Sequence, residues 1–242
     1  MSLILIGTLA SGQTKKTGVI GNKNIETSHR QIPKFNHLRV IGLDVELLRG
    51  NETSITLTAE TNVIKHIITQ VQNDTLIIQF EKGQQLRDIA EPKIGLVYQN
   101  LNSILGSVSS IKAKSPLQGD TLKIKLQTNS SIEGDLNFQH LNLSLKTSCK
   151  AILTGSCSTS DVILHTESIL DAPSLNVAEL NIIEETLCLS TVNVSNKLTA
   201  QLFAESKLSN VGKASSSISY PSMDQMSSMK TIGNNVDIYK FN

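Results

Sequence analysis

The chain encodes an all-β fold, a right-handed parallel β-helix of about 19-residue coils preceded by a β-rich N-terminal segment. The first sign is a repeat. Leu126, Leu145, Leu164, Ile183 and Leu202 stand 19 residues apart, and two positions on come Thr128, Thr147, Thr166, Glu185 and Ala204. A second column runs Ile132, Ala151, Leu170, Leu189 and Leu208. Self-similarity at a fixed short period means that each repeat is a unit that buries its apolar face only by stacking on its neighbours. The second sign is alternation: Leu122, Ile124 and Leu126 are separated by Lys123 and Lys125, and Leu141, Leu143 and Leu145 by Asn142 and Ser144. A period of two belongs to strands with one buried face. The third is composition, with 39% apolar residues but no Trp and only 3% aromatics, as a narrow lumen filled by Leu, Ile, Val and Ala requires.

Helix pairs are excluded, because the apolar runs last only five or six residues before Ser, Thr, Asn or Gly interrupts them. Nineteen residues hold two or three short strands with turns. Coils stacked at about 4.8 Å then form parallel in-register sheets, and parallel crossovers are overwhelmingly right-handed.

Taken in order, Met1–Ala10 is a short apolar run ahead of Ala10-Ser11-Gly12, which has the small-x-small form of a signal-peptidase site. Residues 1–12 therefore read as a secretory signal, although the run lacks a basic start. Residues 13–31 are polar and without apolar period, the pattern of a flexible lead-in. The β-rich start covers 32–103. Leu43, Val45 and Leu47 alternate with Asp44 and Glu46, Gly50-Asn51 turns the chain, and Ile55, Leu57 and Ala59 alternate again. Residues 61–70, TNVIKHIITQ, fit one short helix, and Asn73-Asp74 turns into a strand bearing Leu76, Ile78 and Phe80. Regular coils fill 104–213. The remainder, 214–242, breaks the period and carries Met223, Met226 and Met229 at three-residue spacing; it reads as a cap over the open solenoid end, with Val236–Tyr239 as a last strand.

The order FNHLRVIGLDVELLRGNETSITLTAE, NDTLIIQF, LNSILGSVSS and then the coils resembles the auto-transporter adhesin head GIN domain family over about Pro33 to Lys213. Phe35, Val45, Leu47, Thr75 and Leu76 match that family's opening, strand and turn positions. Its Gly-Ser-Gly turns are replaced here by Gly106-Ser107, Asn129-Ser130-Ser131, Thr147-Ser148-Cys149 and Thr166-Glu167-Ser168. The resemblance implies a secreted, β-helical protein of the Bacteroidetes type, and it brings no catalytic residues with it.

The chemistry-bearing residues point the same way. His29, His37, His66, His140 and His165 are scattered, no pair having metal-ligand spacing, and read as surface residues. Cys149 and Cys157 share one coil, where a turn could bring them within bridging distance; Cys188 falls one residue off the Cys149 column. Small apolar fillers are the expected role for all three. The acidic constellation Glu167, Glu184, Glu185 and Glu205 spreads over three coils and is the candidate exposed contact edge. No Asp-rich calcium repeat accompanies it, and residues 122–210 contain no Arg to serve a lyase. No catalytic residue, cofactor or metal-ligand set is assigned.

With 22 basic and 21 acidic residues, net charge +1, the chain shows no overall nucleic-acid footprint, and no run reaches the roughly 20 apolar residues of a membrane-spanning helix. The reading is a secreted, periplasmic or cell-surface binding module of adhesin type, its partner a glycan or a cell-surface protein. A carbohydrate-active enzyme on a β-helix and a structural envelope protein are the competing classes.

Overall fold

A computed structural model describes residues 18–220, 228–231 and 236–240. It opens with β1 (Val19–Ile20), β2 (Ile25–Gln31), β3 (His37–Ile41), β4 (Val45–Arg49) and β5 (Ser54–Glu60), then α1 (Thr61–Ile64), β6 (Ile67–Gln72), β7 (Thr75–Phe80), β8 (Leu86–Arg87) and β9 (Lys93–Tyr98). Next come β10 (Ser103–Ser107), β11 (Ser110–Ala113), β12 (Leu117–Gln127), β13 (Ser131–Lys146), β14 (Lys150–His165), β15 (Ile169–Glu185) and β16 (Leu189–Leu202). The order closes with β17 (Lys207–Asn210), β18 (Ser215–Tyr220), β19 (Ser228–Thr231) and β20 (Val236–Lys240). The result is a β-solenoid of about six turns, about 19 residues apart. Among the described residues no helix is long and apolar enough to cross a membrane. The expected signal over 1–12 and the residues Met223 and Met226 lie outside the described residues.

Each coil bends twice. In β13, Ile132, Gly134, Leu136 and Phe138 point inward, Gln139 and His140 both face out, and Leu141, Leu143 and Leu145 point inward again. The double outward step marks one corner. The other is a pair of left-handed residues: Thr128-Asn129, Thr147-Ser148, Thr166-Glu167, Thr186-Leu187 and Ala204-Glu205 all have φ between 39° and 63°. That region favours glycine and disfavours β-branched residues, so these turns carry residues that need compensation. It comes from the next residue. Ser109, Ser130, Cys149, Ser168, Cys188 and Ser206 stack at this corner, all buried. Ser130 Oγ, Cys149 Sγ, Ser168 Oγ and Cys188 Sγ each donate to the carbonyl three residues back, at 2.7, 3.0, 2.6 and 2.9 Å. Serine oxygens also accept from the rung before, as Ser168 Oγ does from Cys149 N at 3.4 Å and Ser206 Oγ from Cys188 N at 3.2 Å.

The parallel ladder starts earlier than residue 104. β3 lies beside β10, which lies beside β12, and β4 lies beside β11, which lies beside β13, all parallel. Below them β7 and β9 add one more parallel rung, and antiparallel strands cover it: β6 on β7, β5 on β9 and β2 on β5. This arrangement caps the N-terminal sheet edges. It also corrects two expectations. The helix over 61–70 is confined to Thr61–Ile64, because Ile67–Gln72 pairs with β7 across the left-handed Asn73-Asp74 turn. The lead-in over 13–31 ends in a strand, Ile25–Gln31, held by pairing to β5 rather than by apolar alternation. At the far end β18 and β20 extend one sheet and β17 and β19 the other, so the ladder runs on past residue 213.

A register slip in the fourth coil breaks the 19-residue columns. Pairing of β14 with β15 passes from Ile152↔Asp171 to Thr154↔Ser174, so β15 holds one extra residue at Ala172-Pro173. A one-residue slip exchanges the faces of every residue beyond it. Leu164 therefore pairs with Glu184 and not Ile183, and Leu170 continues to Ser190 and not Leu189. Glu184 is 0% exposed and Leu189 45% exposed. An unslipped coil would turn Ser174, Asn176, Glu179 and Asn181 into the lumen. The slip buries Leu175, Val177, Leu180 and Ile182 instead, each worth about 1.5–3 kcal/mol, and that gain outweighs one inward carboxyl.

The corner ladder yields a prediction. Cys149→Ser and Cys188→Ser should leave stability within about 1 kcal/mol, since serine already fills the equivalent rungs. Ser168→Val should cost about 1–3 kcal/mol by leaving the His165 carbonyl and Cys149 amide without a buried partner. Urea unfolding of the three variants checks this; equal losses in all three would remove the corner hydrogen bonds from the account.

Candidate functional site

Parallel strands wrap the lumen, so functional groups lie on their outer faces, on the corners, or in the N-terminal cap. The four acidic residues of the expected contact edge do not share one edge. Glu167 and Glu205 occupy the same left-handed corner position two rungs apart, with exposed Leu187 between them. Glu185 lies on a sheet face with its Oε2 2.6 Å from His165 Nδ1. Glu184 is inside.

Burial pushes the Glu184 carboxyl up to about 7, against 4.5 for an ordinary glutamate, with the Ser190 hydrogen bond acting in the opposite direction. Ser190 Oγ donates to its Oε1, while Oε2 has no protein partner. The carboxyl is enclosed by Leu164, Leu202 and Ser190 and is sealed from solvent.

The cysteines are equally enclosed. All three are free thiols, and Cys188 stands in the Cys149 column, two rungs on, because the slip restores it there. Burial raises the pKa of Cys149 and Cys157. Cys188 is pushed up to about 11, chiefly by burial. Thiols held above their usual range are poor nucleophiles. The five histidines each pair with a neighbouring strand or loop: His29 with Thr56, His37 with Ser103, His66 with Glu81, His140 with Thr159 and His165 with Glu185, at 2.6–3.1 Å. Among the described residues no group of three or more His, Cys, Asp or Glu could hold a metal ion.

What the surface does offer is a regular array. Thr154 Oγ1 donates to Asp135 Oδ1 at 3.1 Å, Ser158 Oγ to Gln139 Oε1 at 2.8 Å, Asn181 Nδ2 to Asp161 Oδ1 at 3.0 Å and Asn193 Nδ2 to Asn176 Oδ1 at 2.8 Å. Each bond joins one rung to the next, fixing amides and hydroxyls on a grid of about 4.8 Å between rungs and about 7 Å along the strand. The concavities are shallow and open. One of about 630 Å³ lies where the cap meets the solenoid, lined by Asp44, Glu46, Thr56, Glu91, Lys93 and Lys112 among others. A second, of about 350 Å³, lies on the outer face of β12–β14 and includes Lys123, Lys125 and Lys146.

The second depression belongs to a feature the sequence conceals. Register places Arg39, Leu105, Lys125, Ser144 and Ile163 in one outward column, flanked by Ser103, Lys123 and Asn142 on one side and Ser107, Gln127 and Lys146 on the other. Arg39 reaches this sheet from far upstream through the β3–β10 pairing, and no local periodicity announces that.

Residues 34–214 match the model of the family described as "putative auto-transporter adhesin, head GIN domain". None of the curated proteins matches the sequence. Among solved structures, a protein described as a putative adhesin from Bacteroides fragilis superposes with a TM-score of 0.78 at 16% identity, covering 93% of this chain and 100% of that one. A putative adhesin from Parabacteroides distasonis gives 0.70 at 16% identity, with 93% and 100% covered. A protein described as a putative lipid binding protein from the same species gives 0.66 at 16% identity and the same coverage. At these identities the likeness is one of fold.

The state of Glu184 sets a pH dependence. Below about pH 4.5 the folded and unfolded chains both hold its proton and the group contributes no slope. Between about 4.5 and 7 the unfolded chain can ionise while the folded one stays neutral, so stability falls as pH rises; above about 7 the deficit is complete at about 3 kcal/mol. Glu184→Gln should remove that slope, and Glu184→Leu should raise the melting temperature most at pH 8. Melting curves of the three proteins from pH 4 to 9 test it; parallel curves would place the carboxyl in water.

Proposed function

We propose that this chain, which belongs to the auto-transporter adhesin head GIN domain family, acts as an adhesin-like binding module outside the cell or at its surface and performs no reaction. The observation that carries the reading is the rung-to-rung ladder of outward Asn, Ser, Thr and Gln side chains on a rigid solenoid. Groups already held in place lose little conformational freedom on binding, and many weak hydrogen bonds across a flat sheet suit an extended partner. The acidic groups support the same reading. Glycoside hydrolysis needs two carboxyls about 5–9.5 Å apart across one bond with one of them raised, whereas the raised carboxyl here, Glu184, is walled inside the lumen.

The partner class is a glycan or a cell-surface protein. Export is part of the proposal and rests on the apolar run before Ala10-Ser11-Gly12; a mature N-terminus near Gln13 is the expected result of sequencing protein from the native host.

A screen of the purified chain against a glycan array and extracted surface proteins, run beside reducing-sugar and unsaturated-product assays on the same glycans, tests the function. Retention without turnover is expected. Turnover abolished by Glu167→Gln or Glu205→Gln would overturn it.

A further inference from the structure

We infer that the outer face of β3, β10, β12 and β13 is a docking strip for a linear anionic polysaccharide, gripped by Arg39, Lys123, Lys125 and Lys146. The inference rests on the binding reading above and names the surface and the ligand class. All four side chains are exposed and point out of one sheet. Lys123 and Lys125 are about 7 Å apart along β12; Arg39 stands in the Lys125 column two rungs away, about 10 Å; Lys146 lies one rung beyond Gln127. Cationic groups thus recur along the solenoid axis.

Their charge is uncompensated. Lys23, Lys112 and Lys114 each have a carboxylate at 2.8–3.2 Å, but none of the four strip cations makes an ion pair with a described residue. On this face the strands β3, β10, β12 and β13 present no carboxylate outward between their paired residues. The nearest in the Lys123 column is Asp161, two rungs on and engaged by Asn181. In a chain of net charge +1, a local excess of this kind is a specific feature and not a share of a basic surface.

The neighbours of the cations select among anions. Asn142, Ser144, Gln127 and Ser107 lie between them, offering donors and acceptors to sugar hydroxyls. A single-stranded nucleic acid would call for aromatic platforms, and this strip has none. A membrane would call for a denser basic cluster with apolar side chains free to insert; here the only apolar members of the central column from β3 to β14 are Leu105, half-buried, and Ile163. An extended chain bearing a carboxylate or sulfate at intervals satisfies both the charges and the hydroxyl-binding groups.

Binding of the full chain should be measured by surface plasmon resonance. The probes are immobilised polyuronate, a sulfated linear polysaccharide, a neutral polysaccharide of equal length, phosphatidylglycerol vesicles and duplex DNA. The expected result is salt-sensitive retention on one or both anionic polysaccharides, weakened at least tenfold by Lys123→Glu/Lys125→Glu and unaffected by Lys150→Glu on another face, with all melting temperatures alike. Retention that the double variant leaves unchanged, or retention confined to vesicles or DNA, overturns the strip. Binding to neutral glycans or surface proteins without any to the anionic polymers overturns it while leaving the binding reading intact; absence of binding to every probe and to the glycan array overturns both.

Discussion

Everything in this molecule depends on parallel coils stacking in register, so that each backbone N–H and C=O of one rung finds its partner in the next. The ladder persists through the corners: Thr128 N reaches Lys146 O, Ser148 N reaches Thr166 O and Leu187 N reaches Ala204 O, at 2.8–2.9 Å. Because hydrogen bonding runs between coils, an error in one coil propagates to its neighbours, and the side chains must accommodate the register. That is why the corners accept left-handed threonines, and why Ser130, Cys149, Ser168 and Cys188 each hydrogen-bond the carbonyl behind the turn they follow. Serine and cysteine alternate there because the position asks for a small donor and nothing more.

The same constraint governs the lumen. It is apolar along most of every column, yet the chain tolerates Glu184 and Ser190 inside because the alternative register would bury more polar groups. Proline helps decide where the extra residue goes: Pro173 has no N–H to contribute to the ladder, so a bulge beside it sacrifices little pairing. Glu184 and Ser190 then satisfy each other in part, and burial keeps the carboxyl protonated through the pH range in which an ordinary glutamate ionises. The exposed Leu187 and Leu189 are the outward counterpart of that choice.

In-register stacking also determines what the surface can be. Identical spacing on every rung turns outward residues into columns, so polar ladders and rows of charge arise from residues remote in sequence. Such a surface presents a long, preorganised and nearly flat array. Outward positions can vary without disturbing the lumen.

The sequence by itself determined the solenoid, its 19-residue pitch, the inward columns of the first three coils and the strand-turn-strand start, because a two-residue alternation repeated at fixed spacing has one economical reading. It also showed Asn73-Asp74 as a turn. Local pattern misled where pairing decides: TNVIKHIITQ has helical spacing, yet its second half is a strand because β7 lies beside it, and Ile25–Gln31 has no period but borrows order from β5. The slip at Pro173 was legible only by weighing whole columns, since Leu164, Ile183 and Leu202 keep perfect spacing while the intervening Leu175, Val177, Leu180 and Ile182 demand the other face. Thus Glu184, which looked like part of a surface edge, is core. The alignment of Arg39 with Lys125 belonged to tertiary structure alone, because the pairing that joins β3 to β10 spans 66 residues and no periodicity in one sequence reports which distant strands become neighbours.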